Sequence, residues 1–405
     1  MAKPRVFINM HYMEMGGAER ALLGLLNALD TERVDVDLFL NQHTGEFMPL
    51  IPNKVNLLPE RRGYNAIERP MKQILMEGQL GIFFARLKAR RQHQRYHDSL
   101  SADKKQMDSS VFQYVADAVH PFLPSFEDLG EYDMAISFIT PHNIVLNKVR
   151  AKKKIAWIHT DYSTIHINVE KELPVWSGYD HIVSISPDCT SSFLKTFPSL
   201  EPKIIEIENI LSSEFIRQQA GLLDVSDEMR KGALRLLSIG RFCHAKNYDN
   251  VPDIAQRIVK AGYDDLCWYI IGFGGDEDLI RCKINEVDMQ DHVILLGKKE
   301  NPYPYIKACD IYVQPSRYEG KSVTVREAQI LCKPVIVTNY ATAGSQIKDN
   351  IDGIIVPMDN EGCANGIIEA IRNKALLNLI SDYLSTHDYG NESEVEKVYE
   401  LLKEV

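Results

Sequence analysis

Asp310-Ile-Tyr-Val-Gln-Pro-Ser-Arg-Tyr-Glu-Gly-Lys-Ser-Val-Thr-Val-Arg-Glu-Ala328 joins an apolar strand, a proline turn and the opening turns of a helix. That order puts Glu319 on the loop at the carboxyl end of a strand, where open parallel sheets bind their ligands. Gly320, Lys321 and Ser322 then offer backbone N–H groups at a helix start, a setting that suits anions and sugar hydroxyls. Glu327 lies about two turns further on, on the helix face of position 320.

The same strand–helix alternation runs through both halves of the 405 residues, a length that favours two domains. Val6–Asn9, Val34–Leu40, Met134–Phe138, Ile155–Ile158, Ile182–Ile185 and Ile204–Ile210 read as strands of the first half. Leu234–Ile239 opens the second series. We expect an α/β protein of two Rossmann-like parallel-sheet domains, residues 1–210 and 232–385, with ligands in the facing crevice. A polar stretch to Lys231 reads as the linker, and an amphipathic helix lies within 386–405.

Composition narrows the function classes. The net charge of −10 disfavours nucleic-acid binding. No apolar run approaches the ~18 residues that span a bilayer, and the N-terminal apolar segment is too short for a signal peptide. Seven cysteines, all at or beyond Cys189 and without a Cys-x-x-Cys pair, suit reduced thiols, mostly in the core, and a cytoplasmic location. Between Arg61 and Lys105, eleven Lys/Arg oppose four acids. Within that segment, residues 81–96 read as a basic amphipathic helix able to lie on an anionic membrane surface, peripheral on the inner face of the cell membrane.

Several residues carry candidate chemistry. Arg241 and Lys246 follow the strand-ending Gly240 and together supply a planar fork and a point charge for a diphosphate, without metal. Gly16 and Gly17 precede a helix and let backbone approach a phosphate closely. Asp35-Val36-Asp37 has the look of an Asp-x-Asp metal motif but sits in an alternating strand, which makes it structural. His93 and His97 lack the intervening Glu of a His-Glu-x-x-His pair and read as solvated helix residues. We therefore expect no metal and no cofactor. Ile271-Gly-Phe-Gly-Gly-Asp276 is an incomplete dinucleotide fingerprint, with Glu277 at the third glycine position.

Taken together, Gly240-Arg241-Phe242 with Lys246-Asn247, Ile270–Gly275, Val293–Gly297, the Glu319/Glu327 pair, Lys333–Val337 and Asp352–Pro357 resemble the GT4 family of retaining glycosyltransferases. Gly16–Arg20 and Trp157–His159 are weaker echoes. The resemblance implies the GT-B fold, with a last helix crossing back to the first domain. The first domain would bind the acceptor and the second a nucleoside-diphosphate sugar. It gives His159 and Glu319 contacts to the donor sugar, the latter beside the N–H groups of residues 320–323 (Ser322 and Val323 included), and gives Glu327 the ribose. It also implies front-face transfer with retention, to a glycan or lipid-linked acceptor in surface-polysaccharide synthesis. Lys321-Ser322 stands where many members have Phe-Pro, which leaves the donor sugar open. The alternative is a catalytically idle homologue that binds nucleotide or glycan beside an active transferase.

Overall fold

The structure, a computed structural model, describes residues 3–14, 16–67, 69–319 and 322–403. The chain forms two compact units, Met1–Ile210 together with Glu392–Val405, and Leu211–Asn391. It therefore leaves the first unit after Ile210 and returns to it at Glu392.

The first unit is built on a parallel sheet of β1 (Arg5–Met10), β2 (Asp35–Leu40), β3 (Asn56–Leu57), β4 (Tyr132–Ser137), β5 (Ala151–Ile158), β6 (His181–Ser184) and β7 (Ile204–Glu206). Their spatial order is β3-β2-β1-β4-β5-β6-β7, so the winding reverses between β1 and β4. On one face Phe7, Phe39, Tyr64, Phe126 and Tyr132 pack edge to face, with Phe39 and Phe126 centroids 4.7 Å apart. The final helix, Val395–Lys403, buries Val395, Val398, Tyr399 and Leu401 against this unit. The Tyr399 hydroxyl accepts from Asp30 N–H at 2.6 Å, and Lys153 Nζ donates to the Leu401 carbonyl at 2.9 Å.

The second unit holds β8 (Leu234–Ile239), β9 (Leu266–Ile271), β10 (Val293–Gly297), β11 (Ile311–Gln314), β12 (Val335–Thr338) and β13 (Ile354–Val356), in the order β10-β9-β8-β11-β12-β13. Successive residues point to opposite faces, and both faces are covered. Leu236, Trp268, Ile270, Val313 and Ile336 enter one layer, under the helices Val251–Lys260 and Asn360–Arg372. Leu237, Tyr269, Ile271, Tyr312 and Val337 enter the other.

Three expectations change. Residues 211–231, read as a linker, belong to the second unit: the helix Ser213–Gln219 sets Ile216 in its core with Leu211, Val225 and Met229. The polarity that suggested a linker is the exposed half of a covering segment. Between Leu40 and Met134, where only a helix over 81–96 was expected, the chain also forms the helices Met71–Met76, Ala102–Met107 and Val111–Val119 beside Leu80–Asp98. Of the seven free cysteines only Cys267, Cys309 and Cys363 are buried. Asp37, by contrast, is structural as read: Arg5 and Tyr132 reach its Oδ2 at 3.1 and 2.6 Å, and Asn56 its Oδ1 at 2.6 Å.

Candidate active site

In the second unit the winding reverses between β8 and β11, so their carboxyl ends flank the point where such sheets bind ligands. Lys246 lies beyond the end of β8 and Glu319 beyond the end of β11. Lys246 Nζ donates to Glu319 Oε1 at 2.5 Å. Two further donors share that oxygen, Gln314 Nε2 at 3.0 Å and Ser316 Oγ at 2.6 Å. Glu319 Oε2 accepts none among the described residues and remains available to a ligand hydroxyl. Thr342 Oγ1 fixes the backbone by donating to the Glu319 carbonyl at 2.8 Å.

The two loops are stitched together. Asn247 adopts a left-handed conformation (φ 61°), which aims its Nδ2 at the Pro315 carbonyl, 2.9 Å away. Arg317 forks onto Asp249 at 2.9 and 2.7 Å, while its N–H donates to the Ala245 carbonyl at 2.8 Å. Gly240 makes room: a Cβ there would sit 2.8 Å from the Tyr248 hydroxyl and 3.1 Å from Lys246 Cε. Arg241 is exposed and makes no side-chain hydrogen bond or ion pair among the described residues, so its guanidinium is open to an anion. The glycines of Ile271–Asp276 have a packing role. A Cβ at Gly272 would fall 1.9 Å from the Gly240 carbonyl oxygen, and one at Gly274 2.3 Å from that of Phe242.

The helix start differs from expectation. Ser322 N–H is not unpaired, because Gln346 Oε1 accepts it at 3.0 Å and Gln346 Nε2 returns a bond to the Ser322 carbonyl at 2.6 Å. Val323 opens the helix Val323–Ile330, whose first-turn N–H groups have no intrahelical acceptor. Gly320 and Lys321 lie outside the described residues. Glu327 is completely buried, and Tyr303 donates its hydroxyl to Glu327 Oε1 at 2.9 Å.

In the first unit the reversal falls between β1 and β4, and three imidazoles follow the strands there. His11 follows β1, His142 follows β4, and His159 ends β5. His159 packs against Phe138 at 4.5 Å between centroids, the rings tilted by 38°, and its Nε2 is buried without a partner. Burial pushes its pKa down to about 3, so the ring is neutral near pH 7. His142 is fully buried, takes a 2.8 Å hydrogen bond with Ser137 through Nδ1, and is pushed down to about 3 by burial, then by His11 and His159. Gly16 caps the helix Gly17–Ala28 in extended conformation, with the buried Glu19 carboxylate against it. Nothing lies within 4 Å of a Cβ built on Gly17, which leaves that approach open.

The structure thus brings Lys246 and Glu319 together in one unit, while in the other Gly16 and Gly17 follow β1 and His159 follows β5. Sequence reasoning missed Gln314, Ser316, Tyr303 and His142. The signal for Gln314 and Ser316 was available, since Gln314-Pro-Ser316 interrupts an apolar strand just before the acidic loop.

The family model described as glycosyl transferases group 1 matches residues 225–384. Among curated proteins, the chain is 30% identical over 165 residues to the Campylobacter jejuni N-acetylgalactosamine-N,N'-diacetylbacillosaminyl-diphospho-undecaprenol 4-alpha-N-acetylgalactosaminyltransferase, covering 40% of this chain and 43% of that one. It is 25% identical over 158 residues to the Escherichia coli UDP-Gal:alpha-D-GlcNAc-diphosphoundecaprenol alpha-1,3-galactosyltransferase, covering 38% and 40%. The chain spans less than half the length of the curated relatives it first matches. Among solved structures, Anabaena HepE in complex with UDP-glucose superposes with a TM-score of 0.65 at 13% identity, over 99% of this chain and 100% of that one. Staphylococcus aureus TarM gives a TM-score of 0.64 at 12% identity, over 99% and 100%. Two parallel-sheet units give this chain the GT-B fold of these neighbours, and the matched segment in its second unit is similar to the group 1 glycosyl transferases.

Proposed function

We propose that this protein moves a sugar from a nucleoside-diphosphate sugar to a glycan acceptor carried on a lipid, in surface-polysaccharide synthesis, with retention and without a metal. The observation that carries the reading is the Glu319 carboxylate held at the strand-end switch point by Lys246, Gln314 and Ser316. In this reading the free Glu319 oxygen takes a donor-sugar hydroxyl. The ammonium of Lys246 and the exposed guanidinium of Arg241 face the diphosphate, whose charge grows as the glycosidic bond breaks. The backbone of residues 320–323 supports the sugar or phosphate, and Gly16–Gly17 the phosphate side. His159, neutral, orients a sugar hydroxyl through its unpartnered Nε2. A ribose contact by Glu327 would require its buried carboxylate to open. The acceptor hydroxyl attacks from the face the leaving group departs. The UDP and UDP-glucose complexes of HepE and the undecaprenol-linked substrates named for the bacterial relatives support this assignment.

Incubation with a panel of nucleotide sugars and lipid-linked acceptors should release nucleoside diphosphate, and the product should keep the donor's anomeric configuration by NMR. Binding without release across the panel would favour the idle homologue. Turnover should survive EDTA, because the charge falls to Arg241 and Lys246. Loss in EDTA with rescue by Mn²⁺ or Mg²⁺ would reject that assignment.

We further propose that the first unit rests on an anionic membrane. On the helix Leu80–Asp98, Ile82, Ala85, Arg86 and Ala89 face inward, and Arg86 Nη1 donates to the Ala66 and Arg69 carbonyls at 2.8 and 2.6 Å. The outer face carries Leu80 and Phe84, 52% and 62% exposed, next to exposed Lys88, Arg91 and Arg95. Among the described residues no helix is long and apolar enough to cross a membrane. Replacing Arg90, Arg91 and Arg95 with Ser should weaken binding to phosphatidylserine liposomes roughly a hundredfold at low salt, at about 1 kcal/mol per basic group. Unchanged binding would leave the stripe a solvated helix face.

A further inference from the structure

His93 and His97 stand one turn apart on the helix Leu80–Asp98, and the loop before Val111–Val119 brings Asp108 against both. Nε2 of His93 and Nδ1 of His97 both reach Asp108 Oδ2, at 2.9 and 2.7 Å. One ligand atom from each of the three residues lies within 4.8 Å of the others, and among the described residues no other group of His, Cys, Asp and Glu does this. We propose that His93, His97 and Asp108 form a binding site for a divalent zinc-class metal ion, separate from the residues assigned to sugar transfer.

Two imidazoles and one carboxylate are the ligand types that Zn²⁺ takes, and three protein ligands leave a fourth position for water. Zn–N and Zn–O bonds of about 2.0–2.2 Å set tetrahedral ligand atoms about 3.4 Å apart, so an ion fits after the side chains part by roughly half an ångström. The carboxylate is already oriented for it. Asp108 Oδ1 accepts from Ser110 N–H at 3.0 Å and Ser110 Oγ–H at 2.6 Å, which directs Oδ2 at the imidazoles. The Asp108 side chain is cut off from solvent, whereas His93 and His97 are 17% and 30% exposed, so the open side of the triad faces water. On metal entry each imidazole exchanges its hydrogen bond to Asp108 for a bond from the same ring nitrogen to the ion, with the ring proton on the opposite nitrogen. No redox change is involved.

The site pins the C-terminal half of a long helix to the loop carrying Asp108, so an ion there acts on stability. The test uses the untagged full chain, stripped by chelator and titrated with ZnCl₂ by calorimetry. One equivalent should bind, and Co²⁺ should give the visible absorption of a tetrahedral site. Asp108→Asn keeps an acceptor for Ser110, and His97→Gln sits on a partly exposed face, so both should fold. Each should weaken binding at least about a hundredfold, and Ser110→Ala about tenfold through lost orientation. Zinc should raise the melting temperature of the parent and leave Asp108→Asn unmoved. Absence of saturable binding, or binding unchanged in both variants, overturns the site and leaves a hydrogen-bonded clip. The readouts are independent of turnover, so they stand or fall apart from the transferase reading.

Discussion

Glu319→Gln should lower kcat and kcat/KM together by about 10²-fold or more, measured at saturating donor, because the lost charge matters most as the glycosidic bond breaks. Gln keeps the shape of Glu319 and one carbonyl acceptor for Ser316 and Lys246, so the loop should hold. What goes is the negative charge beside the reacting sugar. Lys246→Ala should show the same pattern by another route. It leaves Gln314 and Ser316 on Glu319 Oε1, at 3.0 and 2.6 Å, while removing the cation assigned to the leaving group. A rise in KM with kcat preserved in both variants would mean that these residues only hold the ground state, and the proposed chemistry would fail.

The second large effect is on stability and concerns Glu172, on the helix Val169–Ser177 of the first unit. Burial pushes this carboxyl from 4.5 up to about 7, the Asp117 charge adds to the rise, and a 3.4 Å bond from Trp176 Nε1 opposes it. A folded-state pKa above the unfolded one gives a contribution that is full below pH 4.5 and is lost as pH rises through 7. By pH 8 the loss amounts to about 3 kcal/mol. Glu172→Gln has no charge to desolvate and still accepts from Trp176. In urea unfolding it should match the parent near pH 4.5 and exceed its stability by about 3 kcal/mol at pH 8. His142 and His159, both held near 3, run the other way and weaken the fold as pH falls below their ordinary 6.5. The difference between variant and parent is therefore the informative quantity, and a difference independent of pH would show that Glu172 does not titrate as described.

Both sheets were legible because their strands are short Val/Ile/Leu runs buried on two faces, as in Leu234–Ile239 or Val335–Thr338, separated by glycine and proline turns. The edge strand Asn56–Leu57 was not, since two residues carry no period. Of the helices between 71 and 119, Leu80–Asp98 was legible over residues 81–96 from its apolar start and basic tail. Met71–Met76 and Ala102–Met107 were not, since six residues span too few turns to show a helical period. Lys246 and Glu319 were readable as strand-end residues, but that they touch depends on the order β8-β11, which no local pattern states. The same holds for Asp108: His93 and His97 were visible as a pair, and their shared partner arrives from another segment by tertiary folding.

The return of Glu392–Val405 to the first unit bears on how the chain is made. The second unit is complete once Asn391 has left the ribosome, and Leu211 and Asn391 clasp its two ends through bonds of 2.8 and 3.2 Å. The first unit, although synthesised first, still lacks the helix whose Tyr399 meets Asp30 and whose Leu401 carbonyl meets Lys153. Vectorial synthesis therefore inverts the expected order of maturation: the later segment closes first, and the earlier one waits, with part of its apolar surface uncovered, for residues 392–405 to emerge.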